Sequence, residues 1–167
     1  SYKEKLSQIY ENLERLVQKK DIKKSDIIEH DSYVKELLRY IITDLKQFRQ
    51  IQGDNTLGGM VICETSEQAR KLYAYFDETQ RELNTDTSKK TDFKAGLILH
   101  DSDDKETRKK VIKGFKKNMT IDVLIVFNML LTGFDAPRLK RLYFGRKLKD
   151  HNLLQALTRV NRPFKNN

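Results

Sequence analysis

Three short, uninterrupted apolar runs constrain the fold of this chain more than any other feature. They occupy residues 60–63, 95–99 and 123–127, and a helical pattern follows each of the first two. A strand that is apolar at every position is buried on both faces, as in a parallel sheet covered by helices. The alternation of strand and helix therefore predicts an α/β domain with a mainly parallel sheet.

Two amphipathic patterns precede the first apolar run. Apolar residues recur every three or four positions over residues 2–20 and again after Ser32. This spacing predicts two helices, which we interpret as an antiparallel packing pair without chemistry of its own. The resulting division is a helical segment over 1–57, leading into an α/β domain over 58–167.

Polar residues mark the starts of the helices that follow the strands. Thr65, with Gln68 three residues later, forms a capping-box pattern, and Ser102 or Asp103 is placed to cap the next helix. A fourth strand is expected at 142–144, and a last helix at 152–161.

The charge of the chain is basic and unevenly distributed. Lys and Arg number 33 against 24 Asp and Glu, a net charge of +9, and residues 138–165 hold nine basic residues and one acidic residue. A local basic cluster favours a polyanion such as nucleic acid or a nucleotide phosphate. A solvated basic face that only aids solubility is the alternative.

Composition excludes several classes of protein. Hydrophobic residues make up 38% of the chain, too many for disorder, and no apolar run is long enough to cross a membrane. The single cysteine excludes an internal disulfide and a Cys-rich zinc site. With no secretory leader in the sequence, we expect a soluble domain of the reducing cytoplasm.

The chain lacks the common phosphate-binding motifs. Neither Gly-x-x-x-x-Gly-Lys-Ser/Thr nor Gly-x-Gly-x-x-Gly occurs. His100 with Asp101, Asp103 and Asp104 could suggest a metal site, but acidic residues are common at a helix N-terminus, and we predict no metal site. Cys63 could pair with His100 as a nucleophile, although a cysteine in a strand is usually a core residue. These residues alone do not make a self-contained enzyme.

Four segments in order resemble the motifs of a known motor domain. They are residues 60–66, 100–115, 128–137 and 155–163. Together they resemble motif IV, the segment after it, motif V and motif VI of the second RecA-like domain of superfamily 2 helicases and translocases. The runs 133–139, 145–148 and 155–163 are similar, more specifically, to the motor part of the type I restriction endonuclease R subunit.

The resemblance covers roughly residues 58–165 and implies a RecA-like (P-loop NTPase-type) domain within a larger subunit. In that family the subunit also carries a nuclease and a first RecA-like domain. The first RecA-like domain would make most of the contacts to ATP and Mg²⁺. Duplex DNA would run across both motor domains, pumped by ATP hydrolysis and then cleaved. The implied partners are methyltransferase and specificity subunits, and we expect this chain alone to be inactive.

The resemblance assigns the nucleotide-contacting residues. Arg159 and Arg162 lie three residues apart and would project from one helix face, and arginine suits phosphate oxygens. Arg162 would stabilise charge developing on the γ-phosphate, and Arg159 would contact phosphate nearby. Gln155 would line the nucleotide cleft. Gly133 would let the backbone approach the nucleotide, and Asp135 would accept from the ribose hydroxyls or hold the two arginines in place. Solvent-exposed arginines, a surface glutamine and an aspartate that caps a turn are the structural alternatives.

The resemblance also suggests residues that contact the DNA backbone. Hydroxyl groups and helix N-terminal amides suit phosphate contacts that carry no sequence information. The candidates are Thr65, Ser66, Arg108, Lys109, Asn128, Thr132, Arg146 and Lys147. Thr65 could equally be a simple helix cap, and the basic residues could be merely solvated.

Two other functions stay open at this point. The first is another superfamily 2 helicase or ATPase domain, which strand-displacement assays on the whole protein would separate from a translocase. The second is a non-catalytic, basic α/β module that only binds nucleic acid. Such a module would tolerate loss of Arg159 and Arg162 in ATPase assays.

Overall fold

A computed structural model describes residues 2–20, 24–100, 104–129 and 134–146. The last helix expected at 152–161 lies outside these residues. Within them, four strands form one sheet in the order β2-β3-β1-β4, and every neighbouring pair is parallel. The strands are β1 (Gly58–Cys63), β2 (Ala95–Leu99), β3 (Val123–Phe127) and β4 (Leu139–Phe144). The prediction of an α/β domain with a parallel sheet is confirmed, and the sheet is consistent with a RecA-like domain.

Two strands begin earlier than their apolar runs. The first starts at Gly58, where a Cβ atom would lie 2.8 Å from the ring of Phe115, so the close approach of that ring favours glycine. The fourth starts at Leu139, three residues before the predicted start, and it includes Arg141, whose charge is paired with Asp44. Its guanidinium makes two hydrogen bonds to Asp44, of 3.0 and 3.1 Å, so a charged residue occupies a strand position.

Three helices precede the sheet in the described residues. The two predicted helices are α1 (Tyr2–Lys20) and α3 (Asp31–Gln52), and a short α2 (Lys24–Glu29) lies between them. Helix α3 ends at Gly53, whose positive φ of 63° is the left-handed conformation typical of a residue just after a helix.

The sheet is covered on both faces. One apolar cluster joins α3 and α4 (Ser66–Thr85) to strand residues such as Val61 and Ile125. The other joins α5 (Lys105–Lys116) to the alternate strand residues, among them Met60 and Leu124. Because side chains alternate along a strand, the helices of the two clusters lie on opposite faces. Helix α3 is therefore part of the core that supports the sheet.

The helix caps differ in detail from the sequence prediction. The predicted cap of α5 at Ser102 or Asp103 is wrong, since the N-cap is Asp104, whose carboxylate accepts a 2.7 Å hydrogen bond from the N–H of Thr107. The local pattern did not distinguish among these neighbouring polar residues. No helix in the described ranges is long and apolar enough to cross a membrane.

Candidate functional site

The carboxyl ends of the four strands meet at one edge of the sheet, which we call the carboxyl edge. Cys63 and Phe127 are register partners, as are Ile62 and Phe144, so the residues that follow these strands are neighbours. Four candidate phosphate-contacting residues predicted from sequence begin here: Thr65, Ser66, Asn128 and Arg146. Ligands of parallel α/β sheets gather at this edge.

Gln68 holds the residues after β1 and β4 together. Its side chain is fully buried, its Oε1 accepts from the N–H of Glu64 at 3.0 Å, and its Nε2 donates to the carbonyl of Gly145 at 2.6 Å. The capping-box prediction is confirmed for one of its two hydrogen bonds, because the Thr65 hydroxyl accepts from the N–H of Gln68. In the other, the Gln68 side chain accepts from the N–H of Glu64 and not from that of Thr65. Sequence reasoning treated Gln68 only as a cap, although it positions Gly145 and the residue after it.

Arg146 extends from this junction into solvent. Its Nε lies 3.2 Å from Oε1 of Glu64, and 57% of its side chain is exposed. An exposed ion pair of this kind contributes little to stability and exchanges readily for another anion. The guanidinium is therefore accessible to a phosphate, which would compete with Glu64.

The hydroxyl group of Thr65 makes two hydrogen bonds within the fold. Its Oγ1 accepts a 3.0 Å hydrogen bond from the N–H of Gln68 and donates a 2.8 Å bond to Glu29 on α2. This geometry agrees with the structural alternative, a helix cap. Ser66 follows it as the half-buried first residue of α4.

Arg108 is turned toward the end of β2. Its Nη1 lies 2.9 Å from Nδ1 of His100 and donates to the carbonyl of His100 at 3.1 Å. Asn128 is exposed directly after β3 and has a positive φ of 59°, a conformation that asparagine tolerates better than most residues. Both therefore lie at strand ends on the carboxyl edge.

Asp135 lies beside residues that pack against α5. It is exposed and is followed by Ala136, which packs in the cluster under α5. The ring of its neighbour Phe134 lies 5.6 Å from Nζ of Lys116, in the last turn of α5. The other candidates, Gly133, Thr132, Lys147, Gln155, Arg159 and Arg162, lie outside the described residues.

The opposite edge of the sheet contains an ionic cluster that sequence reasoning missed. Arg138 is 2% exposed, and its guanidinium donates to the carbonyls of Thr56, Phe115 and Ile121 at 2.6–3.0 Å. Asp122 pairs with both Arg138 and Arg49, at 3.3 and 2.8 Å. Burial lowers the pKa of Arg138, and the carboxylate of Asp122 opposes that shift.

This cluster changes the interpretation of the basic C-terminal stretch. Arg138 and Arg141 were counted in it as possible polyanion ligands, yet both are paired with carboxylates in the fold. Arg138 is buried, so its charge is not available to a ligand, whereas Arg141 is held by two hydrogen bonds to Asp44 with 41% of its side chain exposed. Of the described basic residues in this stretch, Arg146 is the one exposed at the carboxyl edge.

The described residues favour the structural interpretation of Cys63. The thiol is buried against the first apolar cluster, and burial raises its pKa to about 12. A thiol that stays protonated is a poor nucleophile, so a core role fits better than catalysis. Within the described ranges, no group of three or more His, Cys, Asp or Glu residues could hold a metal ion.

Comparison with known proteins identifies the family. Residues 93–167 match the family model described as type I restriction enzyme subunit R domain 3. The chain is 32% identical over 166 residues to a putative type I restriction enzyme MjaVIIIP endonuclease subunit of Methanocaldococcus jannaschii, an alignment that covers 87% of the chain. The chain belongs to the type I restriction enzyme R subunit family. The resemblance of the sequence motifs to the type I R subunit is thereby confirmed.

Bacterial R subunits show the same similarity. The type I restriction enzyme SauCOLORF180P endonuclease subunit of Staphylococcus aureus is 32% identical over 136 residues, which is 75% of this chain. The HindI endonuclease subunit of Haemophilus influenzae is 44% identical over 63 residues, or 37% of the chain. The aligned part amounts to 16%, 14% and 6% of the length of these three R subunits. The chain thus corresponds to one segment of an R subunit.

Proposed function

We propose that this segment is the second motor domain of an ATP-dependent, DNA-translocating and DNA-cleaving type I R subunit. It forms one wall of an ATP cleft and part of a duplex DNA track. The observation that carries the proposal is the carboxyl edge, where three neighbouring strand ends lead into polar residues, among them Ser66, Asn128 and Arg146. Membership of a restriction endonuclease family supports the nuclease context of the whole subunit.

The described edge suits a phosphate ligand in its chemistry. The exposed guanidinium of Arg146 offers charged donors, and the Asn128 side chain supplies an amide. Glu64, which pairs with Arg146, would have to release it when a phosphate binds. These donors read no base sequence, in keeping with a motor that moves along DNA of any sequence.

The catalytic assignment rests on the motifs. ATP and Mg²⁺ would be bound mainly by a first RecA-like domain, and ATP supplies the phosphoryl group that is transferred to water. Arg162 stabilises the charge developing on the γ-phosphate, and Arg159 contacts phosphate beside it. Gln155 hydrogen-bonds phosphate or the attacking water, while Gly133 and Asp135 line the cleft. Thr132 and Lys147 join the DNA-contacting set.

Duplex-stimulated ATP hydrolysis by the complete R subunit, assembled with methyltransferase and specificity subunits, tests this proposal. The substitution Arg162→Ala should reduce turnover by roughly 10³- to 10⁵-fold, while ATP and DNA binding persist. The matched control is Arg70→Ala, which removes an exposed arginine from α4 and should leave turnover unchanged. This chain alone should hydrolyse no ATP.

Three outcomes would contradict the proposal in different ways. Normal turnover by the Arg162→Ala subunit would remove the arginine-finger assignment. Normal turnover together with weakened DNA binding would favour a basic module that only binds nucleic acid. Strand displacement without translocation by the whole complex would instead favour a helicase.

A further inference from the structure

Helix α5 carries a regular row of lysines along its outer surface. Lys105, Lys109 and Lys113 are exposed at four-residue spacing within the helix, and Lys117 continues the series at its C-cap. Residues four apart lie on the same face of a helix, about 6 Å apart along its axis. We call these four residues the lysine row, and it is about 18 Å long.

In the described part of the chain, the lysine row makes no ion pair. Across the described ranges, none of its members lies within ion-pair distance of a carboxylate, in contrast to Arg49, Arg138 and Arg141. Like charges four residues apart on a helix are destabilising. Glu106, three residues before Lys109, is the nearby carboxylate within α5, and it forms no ion pair with the lysine row in the described structure.

The helix dipole explains only part of the lysine row. Cations stabilise the C-terminal turn of a helix, which accounts for Lys113 and Lys117. Lys105 is the first residue of α5, and Lys109 lies one turn later, near the positive end where a cation is unfavourable. Asp104 at the N-cap and Glu106 in the first turn supply nearby negative charge, and a bound anion would add to it at Lys105 and Lys109.

The position of α5 connects the lysine row with the carboxyl edge. The helix follows β2, so Lys105 lies near the strand ends, and the helix runs back across the sheet. The apolar side of α5, including Val111 and Phe115, packs on the second cluster. Packing of that side on the sheet leaves the lysines directed toward solvent.

We propose that the lysine row binds the phosphate backbone of duplex DNA and so extends the DNA track from the carboxyl edge along the outside of the domain. This inference rests on the proposed function. Over about 18 Å, one strand of B-DNA presents about five phosphates. Lysine is a flexible point charge that follows a sugar-phosphate backbone without reading bases, as a moving motor requires.

The salt dependence of duplex binding by the complete R subunit tests the lysine row. The triple variant Lys105→Gln, Lys109→Gln, Lys113→Gln removes three charges and keeps good helix formers. The matched control Arg70→Gln, Arg81→Gln, Lys90→Gln removes three exposed charges that make no ion pair in the described structure. Binding of a duplex of arbitrary sequence would be measured by fluorescence anisotropy over a range of salt concentrations.

We expect the lysine variant to show a shallower slope of log K against log[salt] than the wild type. Each lost phosphate contact reduces the steepness of log K against log[salt] by about 0.9, so the lysine variant should be shallower by about 2–3. Its affinity deficit relative to wild type should then shrink about 40-fold between about 50 and 200 mM salt. The control should keep the wild-type slope, and a triple Lys→Arg variant at the same positions should restore it.

The remaining outcomes separate this inference from the proposed function. A lysine variant with the same slope as the control would overturn the DNA role of the lysine row and leave the motor proposal intact. Normal duplex binding with failure to join the methyltransferase and specificity subunits would overturn it in favour of a protein-docking role. A wild-type complex that binds no duplex would refute the proposed function itself.

Discussion

Asp122 pairs with two arginines at the edge of the sheet opposite the carboxyl edge. Its Oδ1 accepts from Arg49 at 2.8 Å and from Arg138 at 3.3 Å, and its Oδ2 accepts from the backbone N–H of Lys94 at 2.9 Å. The side chains of the two arginines are 11% and 2% exposed. Asp122 therefore neutralises two charges that water barely reaches.

The substitution Asp122→Asn should destabilise the domain strongly. Removing one partner of a buried ion pair costs about 3–5 kcal/mol, because the remaining charge keeps its desolvation penalty. Asparagine keeps the size of the side chain but replaces one oxygen with a donor, which then faces other donors. The carbonyls of Thr56, Phe115 and Ile121 still accept from Arg138, but they carry no compensating charge.

Urea unfolding of this chain, followed by circular dichroism, would measure the loss. The free energy of unfolding falls by about 1–3 kcal/mol per molar urea, so the urea concentration at the midpoint should fall by at least about 1 M. The control is Asp92→Asn, because Asp92 and Lys94 form an exposed pair at 3.0 Å. Such a pair contributes about 0–1 kcal/mol. If the two substitutions cost the same, the reasoning about buried charge is wrong.

Two further predictions concern Gly145 and Asp104. A Cβ atom at Gly145 would collide with the side-chain amide of Gln68, so Gly145→Ala should displace this buried amide and lower the free energy of unfolding by about 1–3 kcal/mol. An unchanged midpoint in urea unfolding would contradict this. Hydrogen bonds from Thr107 lower the pKa of Asp104, so the wild type should be more stable than Asp104→Ala above the ordinary pKa of 3.8. That difference should disappear as the pH falls through the lowered pKa, and melting curves across this range would check it.

The buried strands were predictable because their local pattern and their tertiary environment agree. Val123–Phe127 is apolar throughout and lies between two covered faces, as the pattern indicates. The helix start at Thr65 was predictable for the same reason, since a cap acts over three residues. Family membership followed from ordered motifs, and these also indicated the carboxyl edge.

Some strand boundaries depend on distant partners. The start of β4 was missed because Lys140 and Arg141 interrupt its apolar run. Arg141 is accommodated by Asp44, which lies on a helix almost one hundred positions earlier in the chain. No local window contains both residues, so periodicity could not reveal the pair.

In the candidate site, too, the local sequence indicated some features, whereas others depend on contacts between distant residues. Sequence placed Thr65, Ser66, Asn128 and Arg146 after strands, and parallel geometry brings them to one edge. The sequence did not indicate that Gln68 ties Gly145 to this edge, because that hydrogen bond spans the fold.

The sequence by itself determined the α/β class, the buried strands, the family and the net basic charge, because these depend on local periodicity, ordered motifs and composition. The tertiary structure decided which charges are available to a ligand. Arg138 and Arg141 are paired with Asp122 and Asp44, whereas Lys105 and Lys109 are exposed and make no ion pair among the described residues. The physical reason is that the cost of a charge depends on burial and on its nearest counter-charge, and both are set by residues far apart in sequence.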